Sequence, residues 1–189
     1  MQQSKILVSC KIFEKELKAI LPEESDIDII WLEAALHCNL HRLEEGLEEA
    51  LLAANRPGCD IKILYGKSCH PEIPLLSKAH NVKTLCVRNC IEAFLGDRAI
   101  ELEDNRTMIM TPGWVRAWPS IMNGLGWDEV DVRTNLGRYE RILLIDPGLD
   151  SLTDEEIIAF FDLTEVPIET EPLDLQHFKD VVHGLLNGC

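Results

Sequence analysis

The chain has 189 residues, of which 46% are hydrophobic, 27% charged and 6% aromatic; this suits one globular domain able to bury about 70% of its unfolded surface without disulfides or a structural metal. Eighteen basic residues against 33 acidic ones leave a net charge of −15, which argues against a nucleic-acid partner or an anionic membrane surface, since both call for a basic face. No apolar run approaches the ~20 residues of a membrane span, and Met1-Gln2-Gln3-Ser4-Lys5 enters a strand-like run without a leader pattern, so a cytoplasmic protein is expected.

Short apolar runs alternate with helical patterns along the whole chain. Residues 5–9 read as a first strand, 13–20 as a helix and 28–32 as a second strand. In the helix expected over 41–54, Leu43, Leu47, Ala50, Leu51 and Ala54 form one apolar stripe opposite Glu44, Glu45, Glu48 and Glu49, and Asn55-Arg56-Pro57-Gly58 stops it. A third strand at 61–65 ends at Gly66. A short helix over 71–79, a short strand at 83–85 and a helix at 90–95 follow. The strand at 107–110 is closed by Thr111-Pro112-Gly113 and leads into a helix over 114–125. The most apolar strand is 141–146. Thr153, with Glu156 three residues later, opens the next helix as a capping box. Residues 166–169 make a last strand, whose Pro167 suits a sheet edge, and the final helix covers about 173–186. This alternation predicts an α/β fold: a doubly wound, mostly parallel, Rossmann-like sheet flanked by helices, with residues 1–189 as a single domain.

In such sheets ligands bind beyond the carboxyl ends of the strands. Those ends carry Cys10, then His37 and Cys38, then Ser68-Cys69-His70, then Arg88-Asn89-Cys90, then Thr111-Pro112-Gly113-Trp114, and lastly Asp146-Pro147-Gly148. Thiols and imidazoles thus gather at one rim. The seven cysteines, at 10, 38, 59, 69, 86, 90 and 189, are odd in number and follow no disulfide framework, so reduced thiols are expected. Cys10, Cys69 and Cys90 with His37 or His70 form a donor set for zinc, or next for iron or an iron–sulfur cluster. Free cysteine also behaves as a small buried apolar residue, and Cys38, Cys59, Cys86 and Cys189 are read that way. His41, His80, His177 and His183 read as solvated or partly buried.

Other signals are weaker. Walker, Gly-x-Gly-x-x-Gly and Gly-x-Ser-x-Gly motifs are absent from the sequence. Trp114 and Trp118 read either as flat walls of a cofactor pocket or as core tryptophans at a helix start. Arg133 and Arg138, with Asn135 and Tyr139, read either as a carboxylate or phosphate site or as surface groups before the strand at 141–146.

At Tyr65-Gly66-Lys67-Ser68-Cys69-His70-Pro71-Glu72, Asn89-Cys90-Ile91-Glu92-Ala93-Phe94-Leu95-Gly96 and Thr111-Pro112-Gly113-Trp114 the chain resembles the family called domain of unknown function 1638. The opening Lys5-Ile6-Leu7-Val8-Ser9-Cys10 and Gly126-Trp127-Asp128-Glu129-Val130-Asp131 share the likeness. Members often stand beside corrinoid proteins and methylamine-type methyltransferases, so the resemblance implies a place near corrinoid or one-carbon metabolism. A His-Asp-Cys element of the family stands here as Arg88-Asn89-Cys90; the cysteine carries over and the histidine does not.

The leading expectation is a metal site built on Cys69 and Cys90 and completed by Cys10 and His37 or His70. Asp146 and Arg133 are candidate catalytic groups, and Trp114 is a candidate cofactor contact. An enzyme or accessory protein of corrinoid-linked methyl transfer is expected, with a small-molecule substrate or a corrinoid protein as partner and a homo-oligomer left open. One alternative is a non-catalytic module binding a corrinoid or corrinoid protein, although the Asp-x-His-x-x-Gly pattern of base-off cobalamin domains is missing. Another is a metal-free thiol enzyme with Cys69 as nucleophile.

Overall fold

The computed structural model describes residues 4–22 and 25–187. Seven strands, β1 (Ser4–Cys10), β2 (Ile27–Leu32), β3 (Cys59–Leu64), β4 (Lys83–Thr84), β5 (Thr107–Met110), β6 (Arg141–Asp146) and β7 (Ile168–Pro172), are interspersed with nine α-helices and two 3-10 turns, Lys11–Phe13 and Leu36–Cys38, among the described residues. The helices are α1 (Glu14–Ile20), α2 (Leu40–Ala54), α3 (Ile73–His80), α4 (Cys90–Leu95), α5 (Arg98–Asp104), α6 (Pro112–Leu125), α7 (Glu129–Leu136), α8 (Asp154–Thr164) and α9 (Gln176–Asn187).

The α/β class holds, and every strand pair is parallel. The strands fall into two sheets, ordered β2-β1-β3-β4 and β5-β6-β7. The first sheet stops at β4, where only Lys83 and Thr84 pair with β3, too little edge to carry a further strand. β7 is an edge strand, as Pro167 at its start predicts.

Burial explains how the two sheets hold together. In the first sheet, Leu7, Val8, Ile63 and Leu64 are packed by the Leu43–Leu47–Leu51 stripe of α2 and by Phe13 and Leu17. On β6, Ile142 and Leu144 enter the core of the second sheet while Leu143 and Ile145 belong to that of the first; the period-two alternation of a strand lets one element serve both cores. The C-terminal helix α9 returns to the first sheet. Its Phe178 ring lies 5.1 Å from that of Phe13 and 4.7 Å from that of Phe94.

Most expected elements are found, with ends moved by up to three residues. α6 starts two residues earlier than expected: Pro112 occupies its first turn, where a missing N–H costs nothing, and Thr111 caps it by accepting the Trp114 N–H. The Thr153/Glu156 capping box is formed in full. Two helices, α5 and α7, were not anticipated. Each is short and buries only two side chains, Ala99 and Leu102 in one and Val132 and Leu136 in the other, so neither shows a long apolar stripe. Cys86 corrects an expectation: it is exposed, because β4 ends two residues before it.

Candidate functional site

The site is set by a contact between two loops. After β3 the chain passes through Gly66 and runs along the backbone that follows β4: the Lys67 and Ser68 N–H groups donate to the carbonyls of Val87 and Arg88 at 3.1 and 2.7 Å. Only glycine allows this approach, since a Cβ on Gly66 would lie 2.2 Å from the Arg88 carbonyl oxygen. The second loop is braced from α4. Asn89 Oδ1 caps that helix by accepting the Glu92 N–H at 2.9 Å, while Glu92 Oε2 accepts from both the backbone N–H and the Nε of Arg88 at 2.8 Å. Cys69 and Cys90 are thereby carried to the same place.

Cys10, at the end of β1, joins them from behind. All three thiols are neutral at pH 7. Burial pushes Cys69 up to about 11, with Cys10 adding to the rise. Cys90 is pushed up to about 12 by burial first and then by the neighbouring Cys69 and Cys10. Burial also raises Cys10. Two donors lie against the sulfurs. The Tyr65 hydroxyl faces the Cys10 thiol and the Trp114 indole N–H faces Cys90. Both contacts are too loose to count as well-formed hydrogen bonds, and neither donor has another acceptor among the described residues. The sulfurs would repel one another if ionised, and the two donors would each lower the charge cost on the sulfur they face.

Cys69 and Cys90 form part of the wall of a cavity of about 490 Å³ between the two sheets. His37, Cys38, Ser68 and Asn89 also line it from the carboxyl ends of the first sheet. The other side is apolar and aromatic, with Met108 on β5, Trp114 and Trp118 on α6, Trp127, and Tyr139 beside Arg138. His37 reaches the cavity through a turn at Ala35, whose positive φ of 66° is costly for a residue other than glycine. The His37 ring stands edge-on to Trp114 with centroids 5.0 Å apart, and burial lowers its pKa, leaving a neutral imidazole able to act as a ligand.

Cys10, Cys69, Cys90, His37 and Trp114 thus form one neighbourhood, with Cys10 off the cavity surface. Among the described residues, no three His, Cys, Asp or Glu side chains are placed so as to hold a metal ion.

The remaining sequence candidates lie elsewhere. His70 is buried outside the cavity lining, and its Nδ1 accepts the Glu72 N–H at 3.0 Å. Asp146 also lies off the lining, its Oδ1 accepting the Gly148 N–H at 2.8 Å in the turn after β6. Arg133 is committed to the Asp162 and Leu163 carbonyls at 3.0 and 3.3 Å and pairs with Glu165 at 3.2 Å. Cys38 is half-buried and lines the cavity, Cys59 is half-buried, and Cys189 lies outside the described residues. The sequence reading gave no site role to Tyr65 or Trp127: Tyr65 reads as the last residue of a strand, and Trp127 follows the end of α6. A nucleophilic thiol needs a positive neighbour or a base to lower its pKa; burial raises that of Cys69, and His37 lines the same cavity.

Residues 31–182 match the family model described as Protein of unknown function (DUF1638), and the chain belongs to that family. No curated protein and no solved structure matches the chain at a significant level. Among the described residues no helix is long and apolar enough to cross a membrane.

Proposed function

We propose that this DUF1638 chain binds a thiophilic metal ion through Cys10, Cys69 and Cys90, with the neutral His37 imidazole as fourth donor or close neighbour. Zinc is the first choice, because three thiolates and an imidazole suit its tetrahedral preference; iron or an iron–sulfur cluster is the second. The observation that carries this reading is the convergence of three thiols, Cys10 buried and Cys69 and Cys90 half-buried, whose mutual repulsion on ionisation a cation would reverse. The Tyr65 hydroxyl and Trp114 indole N–H would then act on the ligating sulfurs from behind, as outer partners commonly do at metal centres.

Cys69 and Cys90 stand in the cavity wall, so an ion held there would be open to a small molecule on that side. Such an ion supplies Lewis acidity or an activated thiol, the chemistry of methyl transfer. The protein's own groups exclude water with aromatic walls and keep His37 unprotonated. An enzyme or accessory protein of corrinoid-linked one-carbon metabolism fits this arrangement. A corrinoid is larger than a cavity of about 490 Å³, so a corrinoid partner would meet the site at its mouth.

The test is elemental analysis of anaerobically purified protein beside its Cys69→Ser and Cys90→Ser variants. About one ion per chain, lost in either variant, is expected for a three-thiolate site. Metal-free wild-type protein, or equal metal in all three, would refute the reading.

A further inference from the structure

The outer part of the cavity holds groups that the thiol site does not use. Arg138 lines it, the guanidinium resting on the Tyr139 ring at 5.0 Å from the centroid and donating to the Tyr139 hydroxyl at 3.1 Å. Its neighbours Arg133 and Arg141 each hold a carboxylate. Arg138 pairs with none among the described residues, in a chain with 33 acidic side chains. None of those described acidic residues lines the cavity. Glu103 lines an adjoining hollow and faces Arg88 at 3.6 Å. Asn135 stands beside this end of the cavity with one amide N–H given to the Asp131 carbonyl at 2.8 Å and the second left over. The backbone is fixed as well, since the Arg138 carbonyl accepts Arg106 Nε at 2.7 Å.

An exposed arginine resting on an aromatic ring, beside an amide donor and paired with no carboxylate among the described residues, has the planar fork free for a carboxylate or phosphate. The surface around it is apolar, and the volume suits a small organic molecule. We propose that the outer cavity binds a small organic anion, its carboxylate or phosphate on Arg138 and Asn135 and its apolar body between Met108, Trp114, Trp118 and Tyr139. The inference rests on the reading of this cavity as the functional site, and it names the substrate class; it does not depend on the metal. The strong negative charge of the chain makes the carboxylate-free lining the selective element, because any acid in it would repel such a ligand.

Three of the four tryptophans line the cavity, so their fluorescence reports binding. The probes are 3-phenylpropionate, its neutral amide 3-phenylpropanamide, and phenyl phosphate. They are titrated into wild-type protein and the Arg138→Gln variant, each as purified and after metal removal with a chelator. Either anion should bind at least about tenfold tighter than the amide in wild type, and the preference should fall below about twofold in Arg138→Gln. Whichever anion binds tighter identifies the anionic group. An amide that binds as well as both anions, a preference that survives Arg138→Gln, or no response up to about 10 mM would overturn the proposal. The preference should survive chelation; shown by protein that holds no metal as purified, it would sustain this proposal and count against the thiol–metal reading alone.

Discussion

Gly66 and Arg88 are pressed backbone against backbone: the missing Cβ of one would sit 2.2 Å from the carbonyl oxygen of the other. Residues 22 positions apart in sequence are thus locked together, and Cys69 and Cys90 follow from that lock.

Gly66→Ala should therefore be disruptive out of proportion to one methyl group. The clashing atom is backbone, which cannot swing aside, so the two loops must part and the Lys67 and Ser68 hydrogen bonds lengthen. A loss of about 1–3 kcal/mol in unfolding free energy is expected from overpacking of this kind, measured by urea denaturation. An unchanged midpoint would show that the loops are not held as described.

Asn89 tests the other half of the lock. Asn89→Ala removes the acceptor for the Glu92 N–H, and a lost N-cap costs about 0.5–2 kcal/mol. Asn89→Asp keeps the acceptor and should be close to wild type. Equal stability of both variants in the same denaturation series would mean that the cap contributes nothing.

Glu16 supplies a pH test away from the cavity. It is 5% exposed, and its Oε2 has no partner among the described residues. Burial raises its pKa, with the nearby Asp146 adding to the rise. The folded protein thus holds this proton more tightly than the unfolded chain. The contribution is fully present below the ordinary carboxyl pKa of 4.5 and is lost as pH rises through the folded value. Glu16→Gln should raise the thermal midpoint at pH 7, and the gain should shrink towards pH 4. A gain that does not vary with pH would point to packing instead of charge.

The strand-and-helix alternation was legible because periodicity is local: the stripe of α2 and the capping box of α8 each lie within one segment. The three cysteines were legible for a related reason, since parallel sheets bring strand ends to one side whatever the strand order. What one segment does not encode is how two sheets face each other. The first sheet ends at β4, whose pairing stops at Thr84, and Cys86, two residues beyond, is exposed. Arg138 and Tyr139 are brought to the cavity by the packing of α7 and β6, and a reading of residues 133–139 alone leaves a surface turn and a binding site equally open. Asp146 stands at the end of a strand, as a site residue would, yet its carboxylate serves the turn at Gly148.

The most direct test of the account is X-ray absorption at the edge of whichever metal the anaerobically prepared protein carries. A first shell of about three sulfur neighbours at ~2.3 Å is predicted. A shell of oxygen and nitrogen alone at ~2.0–2.2 Å, in protein with all its cysteines intact, would contradict it.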